Sequence, residues 1–507
     1  MKSFKYISLL LICFLFTVSC DDSFDEINTN AVDPTQIDQV FILNSAMIGA
    51  SYSNGPLIYE MGIVQQIITP NSGVLTGANY NQDNRNATES MWNDYFVTVI
   101  RDTRDLINQV EGEPQRANLV NMARIIQAFA FMVLTDTYGD IPYSEGGKGF
   151  TEQVTFPAYD AQENIYPALI QEITQATSAL NPGAPTEPGE VLYGGDISKW
   201  RKLGYSLLLR AGMRLSKVDP GLAQQTVQAA FQGGVMESND DNFVIRHDNN
   251  YNNAHGSTLN GTEANNFFLA EPFVSYLRES DDPRLPAIAV TYVGALSGPE
   301  QSQDRASSDP AIQVGMPMGH DNNSIVGIAE GLGLSSFYEF AQVDRTRIAK
   351  VNGPMFLLTY AQTQLLLAEA AFRGWVSGSA AAFFEAGVRA HMEQMALHDA
   401  GSAIPEAEIA DYLAANPFDE ANALEQINTQ YWVASFFNGP EAFANFRRSG
   451  FPDLAPNPFP AQDITSDFIR RLTYPSQEIA VNVDNINAAI SRQGPDVLDT
   501  RVWWDAP

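Results

Sequence analysis

Apolar residues recur at helical spacing in many parts of the chain. Leu119, Met122, Ile126, Phe129 and Val133 follow a three-four alternation, and Leu358, Ala361, Leu365, Ala368 and Phe372 repeat it far downstream. That spacing predicts two buried helix faces. Trp200, Leu203, Leu207 and Ala211 mark a third, Leu424, Ile427, Tyr431 and Ala434 a fourth, and further helices are expected over 41–68, 90–110, 160–180 and 380–397.

Long polar segments separate these helices. Asn181–Asp196 is rich in Pro and Gly, His247–Phe268 is rich in Asn, and a third irregular stretch is expected from about Ala295 to Phe337. Loops of this length in a packed protein are functional or disordered, and their embedded aromatic residues favour function. The spacing Ala368 to Phe372 resembles the small-then-aromatic element of tetratricopeptide repeats, although no regular period runs through the chain. The fold expected is mainly all-α: an irregular helical scaffold with tetratricopeptide-like hairpins and long loops.

The N-terminus reads differently. Lys2 and Lys5 precede the apolar run Tyr6–Phe16, which is short for a stable membrane-spanning helix and reads as a secretory leader. Cys13 leaves with that leader, so Cys20 remains as the one thiol and no disulfide can form within the chain. Cys20 follows Ser19 at the end of the run and resembles the acylated cysteine of a bacterial lipobox, with Thr17 where that pattern prefers Leu. Ordinary cleavage leaving a free thiol is the alternative. Asp21, Asp22, Asp25 and Glu26 then resemble the acidic tag of surface-exposed Bacteroidota lipoproteins. The expected organisation is a signal peptide over 1–19, a lipidated acidic tether over 20–40 and one binding domain over 41–507. No stretch beyond the leader is expected to cross a membrane.

Acidic residues outnumber basic ones by 60 to 29, for a formal charge of −31. A field of that sign repels phosphate backbones, so nucleic acid is not an expected partner, and neutral ligands are mildly favoured. Signatures of catalysis are missing: there is no G-x-S-x-G elbow, no H-E-x-x-H helix and no G-K-[ST] phosphate loop. His391 and His398 lie seven apart without a third ligand and read as packed or surface histidines, so neither a metal nor a cofactor is expected. Among 60 carboxylates some close pair is inevitable, which makes a glycosidase reading uninformative. The Asp- and Asn-rich stretch Asn239–Asn250 lacks EF-hand spacing and reads as a solvated loop.

Two blocks carry a specific likeness. Val133–Glu145, "VLTDTYGDIPYSE", and Phe436–Pro452, "FFNGPEAFANFRRSGFP", together with Arg470–Glu478 and the lipobox, resemble the SusD/RagB family of glycan-binding outer-membrane lipoproteins. Phe443 departs from the tryptophan common at its place. By their chemistry these motifs build scaffold: Gly139 permits a turn, Pro142 ends a helix, Tyr138 and Tyr143 bury rings with bonded hydroxyls, and Arg447 and Arg448 read as structural ion pairs near Glu441.

The resemblance implies a non-enzymatic subunit, anchored by Cys20 to the outer membrane and facing the cell exterior. Such a subunit caps a SusC-like TonB-dependent transporter and passes oligosaccharides to it. It also implies a sugar surface built from loops, one early in the chain and one from its middle. Sugar C–H faces pack on aromatic rings while amides and guanidinium groups bond the hydroxyls. On composition the early loop offers Tyr80, Asn81, Arg85 and Trp92, with core packing the leading reading for Trp92. The later loops offer Tyr251, Asn252, His255, Phe267, Phe337 and Tyr338. Trp200, Trp375, Trp432, Trp503 and Trp504 are expected in the core. A surface glycosidase and a binder of peptides or another nutrient are the competing readings.

Overall fold

Several helices in this chain begin where a side chain takes the place of the missing backbone acceptor. Asp196 accepts from the Ser198 and Lys199 amides at 2.9 and 3.3 Å and opens Ile197–Arg214. Thr359 and Gln362 form a reciprocal capping box before Tyr360–Phe372. Asn438, with Pro440 in the first turn, opens Gly439–Ser449, and Gly450 ends it in the left-handed region at φ 86°. The structure is a computed structural model and describes residues 37–71, 77–261 and 266–507. Cys20, its leader and its acidic tether lie outside the described residues. Val40–Pro507 forms one contact-dense unit.

The long helices pair in sequence. Ala117–Tyr138 packs on Gln162–Ala179, Ile197–Arg214 on Pro220–Gly233, Tyr360–Phe372 on Ala380–His398, and Ala423–Ala434 on Gly439–Ser449. Successive hairpins also touch, 162–179 against 197–214 and 360–372 against 423–434, which is the stacking a helical repeat requires. Glycine permits two of the closest approaches: a Cβ at Gly204 would lie 2.1 Å from Thr177 Oγ1, and one at Gly387 would lie 2.7 Å from Leu365 Cγ. The fold is mainly α-helical, as the periodicity predicts.

Several details differ from the sequence reading. Residues 41–68 do not form one helix but three short ones, Gln39–Gly49, Asn54–Ile58 and Glu60–Ile63, followed by the strand Ile67–Ile68. Pro56 can start a helix but not continue one, and Gln65 turns the chain at φ 54°. The 90–110 helix carries a π-helical stretch over Tyr95–Ile100, which re-aims its face so that Tyr95, Val99 and Ile100 are buried. Phe372 is 42% exposed because it lies on the last helical turn, beyond the cover of neighbouring helices. The helical segment Pro114–Tyr138 is long and apolar enough to cross a membrane, contrary to expectation, yet 83% of its apolar window is buried inside the fold. It is the central core helix, wrapped by other helices rather than by lipid.

The irregular segments also hold more structure than their composition implies. Asn253 accepts from the Gly256 amide and opens Ala254–Asn260 inside the Asn-rich loop. Ser324–Gly331 forms within the 295–337 stretch. Short antiparallel pairings pin these segments: Ile67–Ile68 with Phe268–Leu269, Phe243–Ile245 with Met355–Leu358, and Ala289–Tyr292 between Ala306–Ser307 and Gln342–Val343.

A buried polar seam crosses the helical scaffold. Arg214 joins Asp136 at 3.1 Å to Glu441 at 2.7 Å, while Trp504 Nε1 donates to Asp136 at 2.9 Å and Tyr431 to Glu441 at 2.8 Å. The sequence reading set Arg447 and Arg448 beside Glu441, but their partners differ. Arg448 pairs with Glu369 at 2.7 Å. Arg447 donates to the carbonyls of Asp136 and Arg470 and lies 3.7 Å from the Phe443 ring centroid. His391 and His398 are both buried, as packed histidines.

Candidate functional site

Three segments far apart in sequence meet at one end of the loop-rich region: 77–84, 316–324 and 457–463. Amide side chains hold them together. Asn457 Nδ2 donates to the carbonyls of Ala78 (3.0 Å) and Asn79 (2.8 Å), and Asn79 Oδ1 accepts from the Gly319 amide at 2.9 Å. Asn81 stands in the left-handed region at φ 50°, a conformation Asn tolerates well, and its Nδ2 donates to Gln462 Oε1 at 2.7 Å. Gly319 (φ 78°) passes so close to the third segment that a Cβ there would lie 2.9 Å from Asn457 Oδ1.

This junction presents an aromatic stack. The Tyr80 ring lies on Phe459 with centroids 4.2 Å apart and planes 21° from parallel, and its hydroxyl donates to the Pro70 carbonyl at 2.9 Å. Tyr80 is buried, whereas Phe459 is half-buried. Phe459 thus has Tyr80 behind one part of its ring and open space on another. His320 and Asp321 stand nearby, also half-buried. Hydrogen bonds from the Ser324 amide and hydroxyl hold the Asp321 carboxyl below its ordinary range, so it is committed to capping the turn.

A second aromatic pair stands on the same module. Phe337 and Tyr338 stack at 4.2 Å and 28°, and both are half-buried. Phe337 packs on a small core of Ile68, Phe268, Met316, Met318, Ile325 and Phe340, while Tyr338 packs on Val290, Tyr292 and Ala295. Met316 and Met318 lead directly into Gly319, so one small core supports both the pair and the junction. Glu339 fixes the turn by accepting from the Gly294 and Ser335 amides.

The remaining candidates scatter. Trp92 is buried among Phe96, Tyr138, Tyr159 and Tyr474, as core. His255 is buried with its Nε2 at 3.0 Å from the Ser53 carbonyl, and burial pushes its pKa down to about 4. Phe267 is buried too. Arg85 is held by Asp496 (2.7 Å), Asp83 (3.2 Å) and the Tyr474 carbonyl (2.7 Å), so its donors are engaged within the chain. Tyr251, 57% exposed, and the exposed Asn252 sit with His247 and Ser51, outside both aromatic pairs. The structure therefore leaves Phe337, Tyr338, Tyr251 and Asn252 open to a ligand. It packs Tyr80, Asn81, Trp92, His255 and Phe267 inside, because their polar atoms or rings complete the loop scaffold.

Phe459 is the residue that sequence reasoning passed over. Its signal was present in "NPFPAQ", Asn457–Gln462, an aromatic residue between two prolines in a turn-rich segment. Among the described residues no group of three or more His, Cys, Asp or Glu is placed to hold a metal ion. The arrangement offers partly exposed rings on a framework that the amides hold in place, which suits binding.

No match is found among curated proteins. A solved chitin-binding protein superposes with a TM-score of 0.82 at 29% identity, over 93% of this chain and all of that one. A Bacteroidetes SusD-like structure gives 0.80 at 25%, over 93% of this chain and 100% of the other. A chitin-binding SusD homologue from Flavobacterium johnsoniae gives 0.76 at 22%, over 92% and 98%, and shares the fold. Two of these three are described as chitin-binding. A family model described as starch-binding and associating with the outer membrane matches residues 30–475, and the chain belongs to this SusD-like family.

Proposed function

We propose that this protein is a non-enzymatic, cell-surface receptor that captures a largely neutral oligosaccharide and hands it to a TonB-dependent transporter in the outer membrane. The observation that carries the reading is the Phe459 ring, backed by Tyr80 and left partly open, on the same module as the half-buried Phe337–Tyr338 pair. Pyranose C–H faces pack on such rings. The chitin-binding protein of similar fold supports an N-acetylated, uncharged glycan as the first ligand to try. Strong negative charge argues in the same direction, since an anionic polymer would meet long-range repulsion before any local contact.

Attachment runs through acylated Cys20, because lipid chains contribute about 0.8 kcal/mol per buried methylene and two or more anchor stably. Replacing Cys20 with Ala is expected to release folded protein from the membrane fraction of a strain lacking the transporter. Retention of the variant there would remove the anchor from the account. Binding is tested by titrating the purified protein with chito- and malto-oligosaccharides. Saturable binding without shortening of the sugar supports the reading; cleavage products that scale with protein concentration would replace it with a glycosidase.

A further inference from the structure

Away from the aromatic pairs, a groove of about 420 Å³ opens between the helical hairpins and the Phe243–Ile245 strand. Its volume falls in the range of small-ligand sites, about 300–1,000 Å³. Arg246, Lys199, His398, Asn352, Tyr193 and Phe356 line it. In a chain with 60 acidic and 29 basic residues, most cations find a carboxylate. These two do not. Arg246 is exposed with no hydrogen bond or ion pair among the described residues. The Lys199 ammonium bonds only the Asp240 carbonyl, at 3.0 Å, and lies 6.0 Å from the Tyr193 ring. The one carboxylate in the lining is that of Asp240, which is exposed.

The walls supply the other half of a sugar site. His398 is nine-tenths buried, its Nδ1 has no hydrogen-bond partner, and its ring lies 5.0 Å from Phe356. Tyr193 is fixed by its hydroxyl, which donates to the Asp241 carbonyl at 2.6 Å, and by an edge contact to Trp200. Ring walls, amides and two cations without acid partners therefore share one small groove.

We propose that this groove binds a single acidic sugar unit, a hexuronate, whose carboxylate meets Arg246 and Lys199 while its ring lies between Tyr193 and Phe356. A guanidinium offers paired donors that match a carboxylate, and such charge-assisted bonds are about twice as strong as neutral ones. The site is independent of the loop face and would let one receptor hold a neutral chain at one place and an acidic branch or end at another.

The test is calorimetric titration of the purified full chain with glucuronate, with glucose and with acetate. Glucuronate should bind saturably, with glucose and acetate each weaker by about ten-fold or more, since each lacks half of the contacts. Arg246→Gln removes no buried contact and should weaken glucuronate by about ten-fold at unchanged melting temperature, with Lys199→Met acting in the same direction. Phe459→Ala should leave the glucuronate titration unchanged. Glucose binding as tight as glucuronate, acetate binding as tight as glucuronate, or an Arg246→Gln variant that titrates like the parent would each overturn the proposal. Loss of glucuronate binding in Phe459→Ala would place the acid on the loop face instead and would equally overturn it.

Discussion

The buried seam of the helical scaffold and the aromatic face of the loops use similar side chains for opposite ends. In the seam every charge is answered from within: Arg448 by Glu369, Asn428 and Asn445, and Arg214 by Asp136 and Glu441. On the loop face the amides of Asn79, Asn81 and Asn457 are likewise spent on the protein, but the rings they frame, Phe459 and the Phe337–Tyr338 pair, are left half open. Conspicuous residues thus divide by what remains unsatisfied. The paired arginines and carboxylates of the seam have no capacity left for a ligand, whereas a partly exposed ring does.

The largest effect should come from breaking the seam. Arg448→Ala leaves Glu369 buried and without its main cation, a loss of about 3–5 kcal/mol in stability. Thermal or denaturant unfolding measures it, and a variant as stable as the parent would show the seam to be dispensable. The same pair is acid-sensitive. Burial opposes ionisation of Glu369, but Arg448 and Arg373 hold its pKa down to about 2, below the ordinary 4.5. Its contribution is present above about 4.5 and lost as pH falls towards 2.

Glu60 sharpens the contrast within the scaffold, since it is a buried carboxyl that nothing answers. Neither of its oxygens has a hydrogen-bond partner, Arg447 is the cation acting on it, and Tyr52, Tyr59, Tyr95 and Tyr138 share its electrostatic surroundings. Burial raises its pKa to about 7. A raised folded-state pKa means that the native state holds the proton more tightly than the unfolded chain. Stability from this group is complete below about 4.5 and lost as pH rises to about 7. Glu60→Gln should stabilise the protein by about 1–3 kcal/mol at pH 8 and change it little at pH 4. Equal effects at both pH values would refute the assignment.

A smaller pair of effects separates support from contact on the loop face. Tyr80→Ala should cost about 3 kcal/mol of stability, because a buried ring leaves a cavity. Phe459→Ala should cost about 1 kcal/mol, because its ring is already partly exposed. If unfolding midpoints rank them the other way, the division between backing and platform is wrong.

Much of the scaffold was legible from periodicity because long helices that bury one face repeat their apolar positions many times. The faces led by Leu119, Trp200 and Leu424 lie in helices, and the one led by Leu358 does so only from Ala361 on, because Leu358 ends the strand Met355–Leu358. Residues 41–68 were misread because positions 59–68 are buried on every side, so burial carries no period there, and Pro56 and Gln65 decide the breaks. The candidate site was legible only as composition. Tyr80 and Phe459 are equally aromatic in sequence, and which is covered depends on how three distant segments close together. Arg85 looked like a ligand donor because Asp496, its partner, lies near the other end of the chain. Phe459 was missed since its segment falls between two recognisable motifs, where no period draws attention.

On the reading proposed here, the Phe459 face holds a largely neutral oligosaccharide by stacking. The most direct measurement is calorimetric titration of one such glycan, a chito-oligosaccharide first, into the parent and the Phe459→Ala variant at low and high salt. The account predicts that the variant binds about five-fold or more weakly, a loss of about 1 kcal/mol, with its fold intact. It also predicts affinity that changes little with ionic strength, because no ion pair is made with the sugar. Unchanged affinity in the variant, or binding that collapses as salt rises, would contradict it.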